Sequence, residues 1–468
     1  MKTAKKYITL AALPVLSATL QAAEPAAKPV SKPNIVFVLL DDFGYESVTA
    51  NGGESYQTPV MDRLAATGVR FEQCHVQPMC TPSRVELLTG FYNKRNYSCF
   101  AFMDPSQKTF GNLLKDAGYA TCIAGKWQLG NGYEGPRHFG FDEYLLWHLF
   151  TKENRYSNPV LHSNGKPFDC PTNAYGPDVV SDYVLDFIQR KKDVPFAVYY
   201  PMMLPHGPFE ATPDSLDYLG AQVGERKKPN HFADMIAYSD KLIGKLIDKL
   251  DELKLRDNTL VLILGDNGNP TGRTRFQGRD VAYGKAKTTV WGTHVPCIGN
   301  WPGHVASGKV CEDLIGAVDV LPTLCEAAGA TVPAELKIDG RSFLPQLRGE
   351  KGNPREWLYS WYHPDGGAKA RAEFAHDGTY KLYTNGRFFN VKEDDLEKSP
   401  LAAGTLDDTA KAAKLKLEAA LKQFEGPRPE YFVKQAQKRN QAEDPVDNGS
   451  GRSDTNQPAN KKEDRNKK

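Results

Sequence analysis

The sequence lacks several features that define common classes of protein. Only eight of its 468 residues are cysteine, and they form neither a CxxC pair nor a zinc-like spacing with histidine. The chain is therefore not a small disulfide-stapled scaffold, and it carries no zinc-finger pattern. The net charge is only +2, since 59 lysines and arginines balance 57 acidic residues. Without a strong overall field we expect no nucleic-acid partner, and any recognition of anions must be local.

A long apolar segment is also missing, apart from one short run near the N-terminus. Lysines in Met1–Lys6 precede the apolar stretch Tyr7–Leu20, and small residues follow it. This pattern predicts a signal peptide over residues 1–23, too short to span a bilayer, and then a linker over residues 24–32. We therefore expect an exported protein, periplasmic or secreted, without a membrane span.

The rest of the chain contains enough apolar residues for a large core, at 40% of the composition. Short β-rich runs alternate with helical patterns, which predicts a mostly parallel sheet covered by helices on both faces. The predicted strands are Ile35–Leu40, Ala120–Ala124, Phe196–Tyr200 and Leu260–Leu264. The predicted helices are Thr58–Thr67, Thr109–Ala117 and Phe232–Leu253.

The pattern changes after about residue 350, which predicts a large domain over residues 33–350 and a smaller α+β domain over residues 351–425. Asn385-Gly386 is typical of a tight hairpin turn, and a helix is predicted over Thr405–Phe424. Four short antiparallel strands are predicted at Trp357–Tyr362, Ala372–His376, Tyr380–Thr384 and Arg387–Val391. Residues 426–468 are rich in charge and poor in aliphatic side chains, which predicts a disordered tail.

Polar residues follow four of the predicted strands at the point where each strand ends. They are Asp41-Asp42, Gly125-Lys126-Trp127-Gln128, Pro205-His206-Gly207-Pro208 and Asp266-Asn267-Gly268. Open parallel sheets bind ligands at the carboxyl ends of their strands. Any one of these segments could be an ordinary turn, but four together favour a functional site.

Three carboxylates and one amide in this set predict a metal site. Asp41, Asp42 and Asp266 cannot share a pocket uncompensated, because like charges so close raise each other's pKa. A divalent cation resolves the conflict, and a ligand set made only of oxygens, with Asn267 included, suits Ca²⁺ or Mg²⁺ rather than zinc. The alternative is that the first pair caps a helix and the second forms a turn.

A cysteine stands at the start of a further predicted helix. Cys80-Thr81-Pro82-Ser83-Arg84 opens the helical stretch Val85–Leu88, and proline is common in a first helical turn. Cys80 would meet the positive end of the helix dipole, which favours an anion. Spacing alone leaves open a buried or bridged cysteine beside a capped helix.

Cys80-Thr81-Pro82-Ser83-Arg84, followed by Thr89-Gly90, matches the formylglycine signature of the sulfatase family, and the chain resembles that family over most of its length. Further matching segments are Asn34-Ile35-Val36, Asp41-Asp42, Gly125-Lys126-Trp127, Pro205-His206, Asp266-Asn267-Gly268, Gly284-Lys285, Thr288-Thr289, Trp301-Pro302-Gly303, Asp339-Gly340 and Leu347-Arg348-Gly349. The resemblance is to the type I branch. It implies an alkaline-phosphatase-like α/β core with a smaller C-terminal α+β domain that carries an antiparallel sheet.

The resemblance also implies roles for individual residues. A separate maturation enzyme would oxidise Cys80 to formylglycine (3-oxoalanine), and Arg84 would orient it. A metal ion, most often Ca²⁺ with Mg²⁺ as the alternative, would contact residue 80 and be held by Asp41, Asp42, Asp266 and Asn267. The sulfate and the leaving oxygen would be surrounded by Lys126, His206 and Lys285.

The sequence departs from the family pattern at Gln128, where a histidine commonly helps eliminate sulfate from the modified residue. Glutamine cannot act as a base, so we expect slow release of sulfate unless His148, Lys287 or water replaces it. His148 and Arg155 lie in the aromatic-rich insertion Gly132–Asn158, which could line a substrate cleft together with Gln128. A solvated surface histidine is the simpler interpretation of such a residue.

These patterns favour a sulfuric ester hydrolase that acts on a sulfated small molecule or glycan, most simply a sulfated carbohydrate. One alternative is a phosphomonoester or phosphonate hydrolase with the same architecture, since its cations would suit either anion. The Cys-Thr-Pro-Ser-Arg motif favours sulfate, because phosphatases of this architecture generally use Ser or Thr directly. Gln128 motivates a second alternative, a metal-binding pseudoenzyme.

Overall fold

A computed structural model of the protein describes residues 32–150, 152–218, 231–272 and 274–441. The predicted signal peptide, nearly all of the predicted linker and the last part of the predicted tail lie outside the described residues. No helix in the described ranges is both long and apolar enough to cross a membrane. No disulfide bond joins any of the eight cysteines, all of which the structure describes.

A mixed, mostly parallel sheet of ten strands forms the centre of the molecule. Its spatial order is β12-β2-β11-β8-β1-β7-β3-β4-β5-β6, and β8, β1, β7, β3 and β4 run parallel to one another. The first eight strands are β1 Asn34–Leu40, β2 Val69–His75, β3 Ala120–Lys126, β4 Glu143–Trp147, β5 Leu161–Ser163, β6 Lys166–Phe168, β7 Phe196–Pro201 and β8 Thr259–Gly265. After a separate hairpin, β9 Thr274–Phe276 and β10 Arg279–Val281, the sheet continues with β11 Cys297–Asn300 and β12 Lys309–Gly316.

Helices cover both faces of this sheet, because most residues of the central strands are apolar and buried on one face or the other. In β1, Ile35, Phe37 and Leu39 face the core that α2, α4 and α9 close. The alternate residues Val36, Val38 and Leu40 face the core closed by α1, α6 and α7. The helices are α1 Pro59–Ala66, α2 Cys80–Thr89, α3 Asn93–Asn96, α4 Phe110–Asp116, α5 Gly135–His138, α6 Gly176–Lys191, α7 His231–Glu252, α8 Val290–Thr293, α9 Val320–Ala328, α10 Leu344–Leu347, α11 Asp408–Lys422 and α12 Glu430–Gln441.

A second, four-stranded antiparallel sheet follows in the C-terminal part of the chain, in the order β13-β14-β15-β16. Its strands are β13 Leu358–Tyr362, β14 Ala372–His376, β15 Tyr380–Tyr383 and β16 Phe388–Asn390. Helix α11 packs on this sheet through small residues such as Ala413 and Ala420, which contact Leu382 and Phe388. The predicted fold class is therefore confirmed; the boundary between two domains near residue 350 stays a prediction.

Helix α12 is a correction to the predicted tail, which was expected to be disordered from residue 426 onward. Only one residue of the helix, Ala436, is fully buried. A helix that buries so little can be mostly polar, and such a composition is typical of a disordered segment. Tertiary contacts hold it instead. The buried Arg428 just before it donates hydrogen bonds to backbone carbonyls of Lys94 and Tyr97 and stacks 4.0 Å from the ring of Trp361.

Candidate active site

Four neighbouring parallel strands bring the predicted polar segments to one edge of the sheet. Strands β8, β1, β7 and β3 lie side by side, and the segments that follow them are tied together through the backbone. The N–H of Asp41 donates to the carbonyl of Leu204 at 3.1 Å, and the N–H of Asp266 donates to the carbonyl of Leu40 at 2.9 Å. The carboxyl ends of these strands therefore form one site, as the sequence predicts.

A glycine is required where β3 delivers Lys126 to this edge. Gly125 has a φ of +127°, and a Cβ atom there would lie 1.9 Å from the carbonyl oxygen of Pro201. No other residue fits such a contact without moving the strand. The side chain of Lys126, 0% exposed, consequently reaches Asp41 with Nζ–O distances of 2.8 and 2.9 Å.

The predicted metal ligands form one buried cluster. The N–H of Asp42 donates to Oδ1 of Asp266 at 2.9 Å, and the amide nitrogen of Asn267 donates to Oδ1 of Asp42 at 2.8 Å. Asp41 is also part of the cluster, and all four side chains are at most 1% exposed. The amide nitrogen of Asn267 is thus used to hold Asp42, whereas its amide oxygen is buried without a hydrogen-bond partner.

Three cations surround these carboxylates. Arg84 donates to Oδ2 of Asp266 from Nε at 3.1 Å and from a terminal nitrogen at 2.8 Å. Lys285 donates to Oδ2 of Asp42 at 2.6 Å, opposite the contact between Lys126 and Asp41. Each carboxylate thus has its own cation, and breaking any of these buried pairs would leave an uncompensated charge.

The protonation of the cluster follows from burial and these pairs. Burial alone would raise the pKa of Asp41, but Lys126 and His206 outweigh burial and hold that pKa well below its usual range. Burial and the charge of Asp41 raise the pKa of Asp266, against the opposing effect of Arg84. The cations therefore do not fully offset the carboxylates at Asp266.

The cluster fits a hard divalent cation. One oxygen each from Asp41 and Asp266 and the sulfur of Cys80 lie within 4.8 Å of one another, and Asp41, Asp42 and His206 form a second such group. The unpartnered oxygen of Asn267 adds a neutral donor that has no other use in the described structure. Carboxylate and amide oxygens are the ligands that Ca²⁺ and Mg²⁺ prefer.

Cys80 stands at the first position of α2, directly beside this cluster. The preceding turn is fixed by Ser83, whose hydroxyl donates to the carbonyls of Gln77 and Met79 at 3.0 Å. Burial raises the pKa of the Cys80 thiol, although Lys126 opposes it. A neutral, 1% exposed thiol is a poor nucleophile. The unmodified side chain is therefore not suited to attack a substrate.

His206 and Arg155 are joined through one carbonyl oxygen. Nδ1 of His206 donates to the carbonyl of Gly207 at 2.6 Å, which leaves Nε2 at 3.7 Å from Oδ2 of Asp42. The guanidinium of Arg155 donates to the same carbonyl at 2.6 Å and stacks 4.1 Å from the ring of Trp147. Burial, assisted by Lys285, lowers the pKa of His206 well below its usual value.

A small cavity of about 20 Å³, enough for roughly one water molecule, opens beside Cys80. Of the sequence-predicted residues it is lined by Cys80, Lys126, Gln128, His148, His206 and Lys285. Arg155 is not among the lining residues, and its guanidinium is buried against Trp147 and Gly207, so its contact with substrate stays a prediction. His148 is 4% exposed rather than solvated, so the simpler surface interpretation is wrong for this residue.

Sequence reasoning missed other residues that line the cavity. Met79, Phe100, Trp147 and Lys152 complete its wall. Lys152 and Trp147 belong to the insertion that was predicted to line a cleft, so the sequence indicated their segment but not these two residues. Phe100 had none, because it is brought to Cys80 only by packing with Met79 and Tyr362.

Two family models match this chain. The model for sulfatase matches residues 33–330, and the model for the C-terminal part of N-sulphoglucosamine sulphohydrolase matches residues 289–424. The chain belongs to the sulfatase family. As a member of that family it is a sulfuric ester hydrolase, which confirms the predicted enzyme class.

Relatives of this sulfatase include arylsulfatase A from Homo sapiens, which is 31% identical over 395 residues, or 75% of this chain and 74% of the relative. N-acetylgalactosamine-6-sulfatase from Homo sapiens is 32% identical over 350 residues, covering 67% of this chain and 66% of the relative. The crystal structure of Ps i-CgsB aligns with a TM-score of 0.72 at 26% identity, covering 84% of this chain and 93% of that one. Ps i-CgsB has also been solved in complex with k-i-k-neocarrahexaose.

Proposed function

We propose that this sulfatase hydrolyses a sulfate ester on a sulfated carbohydrate, through a formylglycine derived from Cys80 and with Ca²⁺ as its metal. The observation that supports this most directly is the buried cluster of Asp41, Asp42, Asp266 and Asn267 beside Cys80. It combines three buried carboxylates, which the neighbouring cations do not fully offset at Asp266, with an unpartnered amide oxygen. Mg²⁺ would be accepted by the same oxygen donors.

Asp41, Asp42, Asp266 and Asn267 would hold Ca²⁺, which would supply positive charge beside residue 80 to offset the charge on the sulfate oxygens. Lys126 and Lys285, which now contact Asp41 and Asp42, line the cavity from two sides and would bind the sulfate oxygens. Preorganised positive charge in a site screened from water is an effective way to stabilise a developing anion. Arg84 holds Asp266 and the metal cluster in place rather than touching the cavity.

His206 is the group that we assign to the leaving oxygen. Its Nδ1–H is fixed on the carbonyl of Gly207, so Nε2 faces the cavity between Asp42 and Lys285. A bound sulfate ester adds negative charge there and would raise the pKa of His206 from its lowered value. The imidazolium can then donate a proton to the departing alcohol oxygen. Arg155, which shares the Gly207 carbonyl, keeps this ring in position.

The proposed substrate class rests on the relatives. One is named for the 6-sulfate of N-acetylgalactosamine, and Ps i-CgsB binds an oligosaccharide. We further propose that residues 1–23 direct export, and that a formylglycine-generating enzyme acts on Cys80 before or during this step. A periplasmic or secreted location would give the enzyme access to sulfated glycans outside the cell.

A comparison of esters tests this proposal. The enzyme, co-expressed with a maturation enzyme, is assayed on sulfated mono- and oligosaccharides and on a phosphate and a phosphonate monoester of one chromogenic alcohol. We expect turnover of sulfate esters, and none by the Cys80→Ala variant. Faster turnover of the phosphonate would favour the alternative hydrolase, and no turnover of any ester by matured protein would favour the pseudoenzyme.

A further inference from the structure

The usual histidine of the sulfatase family is replaced here by Gln128, and the structure shows that this side chain is already engaged. Its amide oxygen accepts a hydrogen bond from the hydroxyl of Thr81 at 3.2 Å. Thr81 in turn accepts one from the N–H of Ala101 at 3.2 Å. Gln128 therefore anchors the turn next to Cys80, and it has no basic atom to accept a proton.

An imidazole stands beside Gln128 on the neighbouring strand. His148 follows β4 directly, as Lys126 ends the adjacent strand β3, and the N–H of Gln128 donates to the carbonyl of His148 at 3.2 Å. Both residues have a left-handed backbone, with φ of 55° at Gln128 and 61° at His148. Non-glycine residues rarely adopt this conformation, because it costs free energy. The few that do are concentrated at functional sites.

The ring of His148, a residue that lines the cavity, has an unused nitrogen. Nδ1 is buried and has no hydrogen-bond partner, while the residue lines the same cavity as Cys80 and Lys126. A buried, unpartnered polar atom is costly unless it has a function or a ligand. Burial and the charges of Lys126 and Arg155 lower the pKa of His148 to about 3, so the imidazole of the free enzyme is neutral and has a free lone pair. The negative charge of a bound sulfate group would raise this pKa and make the ring a stronger base.

We propose that His148 is the general base of the second half of the reaction, in place of the histidine that Gln128 replaces. The inference rests on the proposed function. Nδ1 of His148 accepts the proton of the hydroxyl on residue 80, and the electron pair of that O–H bond forms the C=O bond. The C–O bond to sulfate breaks, sulfate leaves with the bonding pair, and water later takes the proton from His148.

The first test replaces His148 by glutamine, with His162→Gln as a matched control. His162 lies in the same part of the chain and is 8% exposed, but it contacts Tyr133 instead of the cavity. We expect His148→Gln to lower kcat by about 10²–10⁴-fold, the usual contribution of a general base. Alcohol release in the first turnover should persist, and the acid-quenched tryptic peptide 71–84 should carry the added mass of sulfate. Unchanged kcat without sulfated peptide would overturn the proposal.

A second variant protects the test against misfolding of the first. In Gln128→His the wild-type His148 remains as the base, so kcat of this variant is the reference for the double variant. The double variant Gln128→His/His148→Gln should recover most of the activity lost by His148→Gln. A rise of two orders of magnitude in Gln128→His alone would mean that the wild-type enzyme has no base. If the wild-type peptide 71–84 shows no formylglycine, the proposed function itself fails. This result differs from an unchanged kcat in His148→Gln, which would overturn only the role of His148.

A separate observation concerns a groove of about 620 Å³ on the C-terminal sheet, here called the basic groove. Its charged lining residues are Lys94, Lys369, Arg371, Arg387 and a single acid, Glu373. Glu373 is paired with Lys94 at 2.9 Å and Arg371 with Asp365 at 2.6 Å. Lys369 and Arg387 are exposed, and neither forms an ion pair with a described residue.

One lining residue of the basic groove is hydrogen-bonded to a residue that packs with Cys80. The N–H of Arg371 donates to the carbonyl of Tyr362 at 2.9 Å, and Tyr362 packs with Met79 and Cys80. The groove also presents the ring of Tyr383, over which Arg387 lies at 4.5 Å. Unpaired cations beside an aromatic ring suit the sulfate groups and sugar faces of a glycan. We infer that the basic groove binds further sulfated sugars of the chain whose ester lies at Cys80, an inference that also rests on the proposed function.

Binding without turnover tests this inference. Kd for a sulfated galactan is measured in the Cys80→Ala background with and without Lys369→Ser and Arg387→Ser, and the desulfated galactan is the ligand control. Lys192→Ser and Lys411→Ser, two exposed lysines on other elements, are the matched controls. We expect the groove variants to weaken binding at least tenfold at low salt and less at high salt, because salt screens exposed charges. Equal Kd values would overturn the inference, whereas loss of all sulfate hydrolysis in the wild type would contradict the proposed function instead.

Discussion

At the scale of single residues, the active site depends on buried charges that neutralise one another. Asp41 and Lys126 are both fully buried, whereas the side chain of Lys285 is 15% exposed beside Asp42. Both lysines line the cavity, but Lys126 makes the two short contacts to the fully buried Asp41, and Arg84 is the next cation at 3.6 Å. The two lysines should therefore differ in their effect on stability while sharing an effect on catalysis.

We expect Lys126→Ala and Lys285→Ala each to raise the barrier for kcat/KM by about 2–4 kcal/mol, as for the loss of an oxyanion-stabilising group. Lys126→Ala should also lower Tm, since it leaves Asp41 charged and buried without its partner. Tm of Lys285→Ala should stay closer to that of the wild type. Near-wild-type kcat/KM in both variants would remove these lysines from the reaction.

Metal dependence is a second expectation at this scale. Asp266→Ala removes a ligand of the proposed Ca²⁺ site and the partner of Arg84, so it should lower both activity and Tm. Exhaustive chelation should lower Tm of the wild type, because a bound metal stabilises the native state by mass action, and added Ca²⁺ should restore it. The Tm of Asp266→Ala should not respond to Ca²⁺. Full activity of protein shown to be metal-free by elemental analysis would contradict this account.

Some of these residues could be predicted from sequence and others could not. The segments that follow predicted strands or begin a predicted helix contain Asp41, Asp266, Cys80 and Lys126. Their proximity could be predicted because the carboxyl ends of parallel strands lie at one edge of the sheet. The unpartnered nitrogen of His148 could not be predicted, because its surroundings depend on the pairing of β3 with β4 and no local sequence pattern indicates that pairing. Likewise the burial of Arg155 against Trp147 is a tertiary contact, which the sequence could not predict.

At the scale of elements, the central strands were predicted to within one or two residues, because continuous apolar runs mark strands buried on both faces. Helix α12 was missed for the opposite reason. Its residues are mostly polar, and a single buried arginine, Arg428, connects its start to four backbone carbonyls of the core. The contribution of such an anchor cannot be inferred from the helix's own composition.

Replacing this anchor should release α12 without affecting the active site. We expect Arg428→Ala to increase hydrogen exchange throughout Glu430–Gln441, because four donated hydrogen bonds and the contact with Trp361 are lost. Lys434→Ala, which removes only an exposed pair with Glu430 at 2.6 Å, is the control and should change exchange little. Unchanged protection in Arg428→Ala would show that other contacts hold the helix.

At the scale of the whole molecule, three buried histidines connect the two sheets. The ring of His75, at the end of β2, lies 4.9 Å from that of His294 and 4.5 Å from that of His376 in β14. Burial and the neighbouring histidines lower the pKa of His75 well below its usual value. Burial is also the main cause that lowers the pKa of His294 to about 4 and that of His376 to about 3.

These shifts predict loss of stability in mild acid. Between about pH 6.5 and pH 4 the unfolded chain binds protons on these histidines, while the folded chain does not, so the free energy of unfolding falls as the pH falls. Each histidine contributes at most about 1.4 kcal/mol per pH unit to this slope. Thermal unfolding of His376→Phe across this range should show a shallower dependence than the wild type. Identical slopes would mean that the cluster accepts protons without unfolding.

The central claim is that Cys80 becomes the formylglycine of a sulfatase site, and the mass of the tryptic peptide 71–84 tests it most directly. The peptide contains Cys80 together with Cys74, so fragmentation must locate the change. In active enzyme from cells with a maturation enzyme, we predict the mass loss of thiol-to-aldehyde conversion at Cys80, with Cys74 unchanged. An unmodified Cys80 in protein that hydrolyses sulfate esters at the full rate would contradict the account.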